Sequence, residues 1–290
     1  MQFDEVIKIF ERSKEDFFEK IPKDEKPLGI LLGGQGAVGK GQLNFRAEEI
    51  YPDKKFLFIN GDTYRFWHPQ FEELKREKFR FPKETQIFSN VFTERLIDEC
   101  ISRSFSFIVE GTMRSSIVPL KTAELLRKSN YETAAFVIAA PKEFSYLNAL
   151  MRYIDETKKK GFGRMIEIES YNAAIHGLPN SLDAIYSKKA VDRICIFDCF
   201  AKNLVEEYKL VDGEWNNKKM PSVVVVESRQ KQLENENMID SFLTKAINSR
   251  NDIVDVELKS KFDCAFTKLY EIKKKHSIKQ QTESGKWGKE

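Results

Sequence analysis

Gly34–Lys40 reads G-x-x-x-x-G-K, directly after the apolar run Leu28-Gly-Ile-Leu-Leu. Glycines at that spacing let the backbone curl until several N–H groups converge on a phosphate. A helix starting behind them adds partial positive charge at its N-terminus. Lys40 then brings a mobile full charge to the β- and γ-phosphates. Gly34, Gln35, Gly36, Ala37, Val38, Gly39, Lys40 and Gly41 are therefore the expected nucleotide-binding residues, and phosphoryl transfer is the expected chemistry. The position after the lysine usually holds Ser or Thr, whose hydroxyl binds Mg²⁺; here it is Gly41. Mg²⁺ readily keeps its waters, so the ion is expected through water rather than through a side chain at position 41. The alternative is a loop that binds nucleotide but phosphorylates poorly.

Transfer also needs a group that orients and deprotonates the acceptor hydroxyl, and cations that neutralise the moving phosphoryl group. In open α/β sheets such groups lie beyond the carboxyl ends of the strands. Asp62 follows the second apolar segment, Phe56–Asn60. Glu110 ends the segment Phe105–Glu110, with Thr112 and Arg114 in the loop beyond it. A helix cap or turn residue is the bland alternative for Asp62, and a plain loop carboxylate for Glu110. Glu94 falls in mid-helix, where a solvated carboxylate is the ordinary role. Arg152 and Arg164 bracket Lys158-Lys-Lys160-Gly161-Phe162-Gly163. That suits a lid closing on a triphosphate with bidentate donors, or a solvated basic turn. His68, His176 and His276 show no metal spacing, so neither metal hydrolysis nor a Ser-His-Asp triad is supported. The aromatic run Tyr64–Phe81 reads as core or pocket wall.

The elements that must position these residues follow from periodicity. The first twenty residues carry a helical stripe of Phe3, Val6, Ile7 and Phe10, ended by Pro22 and Pro27. A strand at Leu28 is followed by a helix from about Gly39 to Ile50. Further strands are expected at Phe56–Asn60, Phe105–Glu110, Thr133–Ala140 and Ile194–Phe200. Helices are expected over Glu84–Arg103, Pro119–Ser129 and Lys142–Thr157, with a basic loop over Lys158–Gly163. Continuously apolar strands separated by long helices imply a parallel sheet covered on both faces. Val205–Trp215, with Asp212-Gly213 at its bend, suggests a hairpin, and Gln230–Arg250 a polar helix. The expected organisation is an N-terminal helix (1–26) and an α/β core (27–200) with its lid around 152–166. A hairpin and helical C-terminal extension (201–290) with a frayed basic tail completes it.

Composition bounds the remaining possibilities. The 290 residues hold 48 Lys+Arg against 45 Asp+Glu, a net charge of +3, which gives no support for a nucleic-acid coat. From Lys259 onward nine lysines face four acids, yet a solvated terminus explains them better than RNA binding. With 41% hydrophobic residues the chain can build a core, and no apolar run approaches the length of a membrane span. The N-terminus lacks a signal peptide's apolar centre. Four cysteines without a CxxC pair fit a reducing cytoplasm.

Taken as an ordered set, these residues resemble the zeta toxin family, P-loop kinases of bacterial toxin–antitoxin systems. The resemblance runs from Leu28 to Ile196. It includes the Gly-Gly-Gln opening of the loop, Asp62-Thr63 leading to His68-Pro69, and Ser89-Asn90 with Thr93-Glu94. It continues through Val109-Glu110-Gly111-Thr112 with Arg114, then Tyr131-Glu132-Thr133, Arg152-Tyr153 and Arg164. The resemblance implies a three-layer α/β/α kinase fold with a mainly parallel central sheet and a partly helical C-terminal extension. It implies ATP- or GTP-dependent phosphorylation of the amino-sugar 3′-hydroxyl of UDP-N-acetylglucosamine, with Mg²⁺, and a small antitoxin as partner. On it Lys40 grips the nucleotide phosphates, Asp62 is the base, and Arg152 and Arg164 clamp the transferring group. Glu94, Thr112 and Arg114, with Asp62, would hold the sugar nucleotide, and Glu110 would lie beside them, near the substrate or near Mg²⁺ held through water. Two readings stay open beside it: a related kinase for another nucleotide-type acceptor, and a catalytically weak nucleotide-binding module.

Overall fold

Leu28–Gly33 is apolar throughout because both faces of this strand, β1, are covered. Leu31 packs into one layer of helices, Ile30 and Leu32 into the other. The computed structural model describes residues 3–77 and 80–284, without the side chains of residues 82 and 277–284. The remaining strands are β2 (Leu57–Ile59), β3 (Phe107–Glu110), β4 (Glu132–Ile138), β5 (Arg193–Phe197), β6 (Leu204–Val211) and β7 (Glu214–Trp215). They form one seven-stranded sheet in the order β2-β3-β1-β4-β5-β6-β7. Strands β1 to β5 are mutually parallel, and the hairpin β6–β7 closes the far edge antiparallel.

The helices are α1 (Phe3–Phe18), α2 (Gln42–Ile50), α3 (Gly61–Tyr64), α4 (Phe71–Leu74), α5 (Arg80–Glu84) and α6 (Gln86–Arg103). They continue with α7 (Ile117–Lys128), α8 (Lys142–Lys160), α9 (Ile168–Ser187), α10 (Pro221–Leu233), α11 (Glu236–Arg250) and α12 (Val256–Ser284). Apolar residues of α1, α6, α7, α9 and α10 share one core with the sheet, those of α2, α8, α11 and α12 the other. The result is a three-layer α/β/α architecture with a mostly parallel sheet. Among the described residues no helix is long and apolar enough to cross a membrane.

Several boundaries differ from those the sequence suggests. Helix α2 starts at Gln42, three residues late, because Gly39 (φ +88) and Lys40 form a turn whose carbonyls take the N–H groups of Gln42 and Leu43. The three lysines 158–160 belong to the last turn of α8, not to a loop; Gly161, left-handed at φ +74, ends the helix behind them. Cations suit that terminus, and the loop expected as a lid shrinks to residues 161–167. The polar helix expected over 230–250 is two helices, because the Asn235 side chain accepts from Met238 N–H and starts α11. Helix α9, not anticipated, buries Tyr171, Ala174, Ile175, Leu178, Leu182 and Ile185 at helical spacing. Helix α12 runs to Ser284, into the segment expected to fray, anchored by Phe262, Ala265 and Leu269; residues 285–290 lie outside the described residues. In the aromatic run Tyr64 and Phe81 are buried, whereas Phe66 and Trp67 stay partly exposed; Phe79 lies outside the described residues.

Candidate active site

The β1–α2 loop is tethered from several directions. The Gln35 side chain is fully buried, its Nε2 donating to the Ala140 carbonyl (2.8 Å) and Ser145 Oγ (3.1 Å). Gln35 and the equally buried Val38 therefore leave only their backbone to a ligand. Asn148 Nδ2 donates to the Ala37 carbonyl (2.8 Å), and the Phe200 N–H to the Val38 carbonyl (3.0 Å). A Cβ at Gly39 would lie 2.7 Å from the Phe200 ring, so this position requires glycine on steric as well as conformational grounds. One residue later the surroundings open: a Cβ at Gly41 would meet nothing within 4 Å. Lys40 lies buried under the loop, its Nζ donating to the carbonyls of Gly34 and Gln35, each at 3.1 Å. Glu110 Oε1 is 3.5 Å from the same ammonium. Phosphate oxygens are charged acceptors that can replace those neutral carbonyls.

From Lys40 a continuous polar chain leads to Asp62. Asn60, at the end of β2, donates from Nδ2 to Glu110 Oε2 (3.0 Å) and accepts the Asp62 N–H on Oδ1 (3.0 Å). Asn60 is thus the cap of α3, and the Asp62 carboxylate is released from that duty. Asp62 Oδ1 accepts from Arg65 Nε (3.1 Å), and Oδ2 pairs with Arg164 Nη1 (2.8 Å). Burial works to raise the Asp62 pKa, but Arg164, Arg65 and Lys40 outweigh it and hold the carboxyl below its ordinary value. Its pairs therefore stabilise the fold fully above the unfolded-state value of about 3.9 and lose that effect as pH falls through the lower folded value.

Glu156 stands between Arg152 and Arg164. Its Oε2 accepts the Arg164 N–H (3.0 Å), and its Oε1 stands 4.0 Å from both Arg152 Nε and Arg164 Nη2. Burial and then the neighbouring Arg164 push the Arg152 pKa down. Its Nε is buried with no hydrogen-bond partner. Two guanidiniums in mutual repulsion, one with an unused buried donor, form a place that an anion would relieve. Phe162 of the 161–167 loop packs against Phe66 and Phe71, tying the loop to the segment that follows Asp62.

Thus Lys40, Asp62, Glu110, Arg152 and Arg164 are drawn into one network. Of the other acceptor-side positions, Thr112 accepts the Gly34 N–H on its carbonyl (3.3 Å), which sets its loop beside the phosphate loop. Arg114 is exposed and donates from Nη1 to Ser170 Oγ (2.9 Å) on α9. Its backbone is fixed by close packing, since a side chain at Gly177 would run into the Arg114 carbonyl. Glu94 stands exposed on α6, joined to none of these pairs. Helix α6 itself is tied to α3, because Ser89 Oγ donates to the Gly61 carbonyl (2.7 Å). Asn60, Arg65 and Glu156 were missed by sequence reasoning. Their signals were present: an Asn before Gly-Asp as a cap, and charged partners at i+3 from Asp62 and i+4 from Arg152. Among the described residues no group of three or more His, Cys, Asp or Glu gathers where it could hold a metal ion.

Comparison with known proteins supplies the family context. The family model described as Zeta toxin matches residues 13–212. Toxin PezT of Streptococcus pneumoniae is 30% identical over 224 residues, 72% of this chain and 87% of that one. Toxin zeta of Enterococcus hirae is 31% identical over 188 residues, 61% of this chain, which thereby spans 64% of that relative. Among solved structures, one from the PezAT chromosomal toxin–antitoxin system of Streptococcus pneumoniae superposes with a TM-score of 0.71 at 22% identity. That match covers 86% of this chain and 98% of the other.

Proposed function

The chain belongs to the zeta toxin family, and on that premise we propose that it is a kinase toxin. It transfers the γ-phosphoryl group of ATP or GTP to the amino-sugar 3′-hydroxyl of UDP-N-acetylglucosamine. The observation that carries this reading is the continuous network from Lys40 through Glu110 and Asn60 to Asp62, faced by Arg152 and Arg164. Gly34–Gly41 wrap the phosphates with backbone N–H groups and Lys40 supplies the charge. Asp62, kept ionised by its cations, takes the proton of the acceptor hydroxyl. Arg164 leaves Asp62 for the phosphoryl oxygens, and Arg152 brings its unused donor to them. Glu94, Thr112 and Arg114 hold the sugar nucleotide. Mg²⁺ would be held through water, with Glu110, 3.5 Å from the Lys40 ammonium, as the carboxylate on that side. When bound it neutralises charge on the β- and γ-oxygens.

Its likeness to Toxin PezT and to the PezAT toxin–antitoxin system supports a small antitoxin partner; the cytoplasm is the proposed place of action. Nucleotide use has support from a structure of AvrRxo1-ORF1:-ORF2 with ATP, which shares the fold at a TM-score of 0.50 and 14% identity, over 93% of this chain and 85% of that one. A second reading, a kinase for another nucleotide-type acceptor, is favoured by one observation. Arg114 bonds Ser170, and Glu94 stands outside the Asp62 network. The test is mass spectrometry of UDP-N-acetylglucosamine and a panel of other nucleotide sugars, each incubated with the chain, ATP and Mg²⁺. Phosphorylation of UDP-N-acetylglucosamine above all others supports the first reading; exclusive phosphorylation of another member establishes the second.

A further inference from the structure

Two guanidiniums hold Asp62, and they are built differently. Arg164 comes from the lid loop, 30% exposed, and beyond Asp62 it is restrained through Glu156. Arg65 comes from the short 3₁₀ turn after α3, is 8% exposed, and uses each edge of its plane. Its Nε donates to Asp62 Oδ1 (3.1 Å), Nη1 to the buried Thr85 Oγ1 (2.7 Å), and Nη2 to Gln86 Oε1 (2.9 Å). Thr85 is pinned in turn, its hydroxyl donating to the Phe81 carbonyl (2.6 Å). Arg65 therefore cannot swing toward a ligand without leaving buried donors and acceptors unpaired, whereas Arg164 can.

We propose that Arg65 is a positioning residue for Asp62: it keeps the carboxylate aimed and ionised after Arg164 has moved to the phosphoryl group. This rests on the reading of Asp62 as the base. Without Arg65 the base would lose its last direct cation at the moment it is needed. Because Thr85 and Gln86 stand at the start of α6, Arg65 also ties the base to the helix that carries Glu94. The charged groups around Asp62 are Lys40 from the phosphate loop, Arg164 from the lid and Arg152 from α8, with Glu110 and Glu156 as the nearby carboxylates. The bonds of Arg65 to Thr85 and Gln86 lie on the α6 side, away from the phosphate loop. A lysine would restore charge but not the three-way span, because its ammonium is a single point.

The test compares Arg65→Gln and Arg65→Lys with the wild-type full chain, using two readouts. The first is a ¹³C-carboxyl NMR titration of Asp62 in the free protein, which needs no turnover. The expected result is a midpoint that moves up in Arg65→Gln and returns most of the way in Arg65→Lys. The second is the pH profile of transfer. Its acidic limb should move up in Arg65→Gln, with kcat lower by about 10²-fold and nucleotide affinity unchanged; Arg65→Lys should recover the limb but not kcat. An unmoved titration midpoint in folded Arg65→Gln overturns the inference. If Arg65→Gln does not fold, Gln86→Ala, which cuts one exposed anchor, should give a smaller loss of kcat in a folded protein; unchanged kcat there overturns it equally. If wild type transfers phosphate to no acceptor, the reading of Asp62 as base fails on its own, while the titration still reports whether Arg65 governs the carboxylate.

Discussion

The proposed phosphate side and the proposed acceptor side of the site are built on opposite principles. The phosphate side comes from eight consecutive residues between one strand and one helix, its lysine buried and each turn of backbone tied to a neighbour. The acceptor side is collected from the ends of β2 and β3, from α6 and from the lid, and its polar side chains are partly exposed. Asp62 there is held by two arginines from different segments. A phosphate is the same ligand in every nucleotide, so a rigid backbone cradle suits it. An acceptor varies, and side chains on separate elements can be changed one at a time without disturbing the cradle.

If this division is right, substitutions on the two sides must separate in what they change. Lys40→Met should lower both nucleotide affinity and transfer, the latter by about 10²–10³-fold; retained affinity in a calorimetric titration would break the comparison. Gly39→Val should cost about 1–3 kcal/mol of stability, through its positive φ and the contact with Phe200, and be read as a lower Tm. Glu94→Gln should raise the acceptor KM about tenfold, on the scale of one charge-assisted hydrogen bond, and leave nucleotide affinity alone. A fall in nucleotide affinity would place Glu94 on the wrong side. Smallest in stability is Gly41→Ser, within about 0.5 kcal/mol of wild type, since a Cβ there meets nothing. It should nevertheless lower the Mg²⁺ concentration needed for half-maximal transfer. An unchanged Mg²⁺ dependence would remove water-mediated binding as the explanation for Gly41.

The same contrast explains what the sequence could disclose. The phosphate loop is local, so its residue order and its chemistry coincide. The strands were legible because burial on both faces makes them continuously apolar. The acceptor side depends on distances between elements that no spacing encodes; the strand ends and the basic loop offered Asp62, Glu110, Thr112, Arg114, Arg152 and Arg164 as candidates, and the resemblance supplied their roles. Several residues that carried that resemblance turn out to hold the fold together. Tyr131 donates to the Cys100 and Phe105 carbonyls, Thr133 pairs with Asp192, and Ser89 braces α3. Helix boundaries failed where a single residue decided them: Gly161 behind the lysines, Asn235 as a cap, Gly39 in its turn. Arg65 was hidden because its partners, Thr85 and Gln86, lie twenty residues away across the aromatic run.

The central claim, that Asp62 is the base opposite a phosphate cradle that works without it, is tested most directly by Asp62→Asn. Nucleotide affinity and single-turnover phosphoryl transfer should be measured on the same preparation. The account predicts nucleotide affinity close to wild type and transfer slower by about 10²–10⁴-fold. Transfer at the wild-type rate would contradict it.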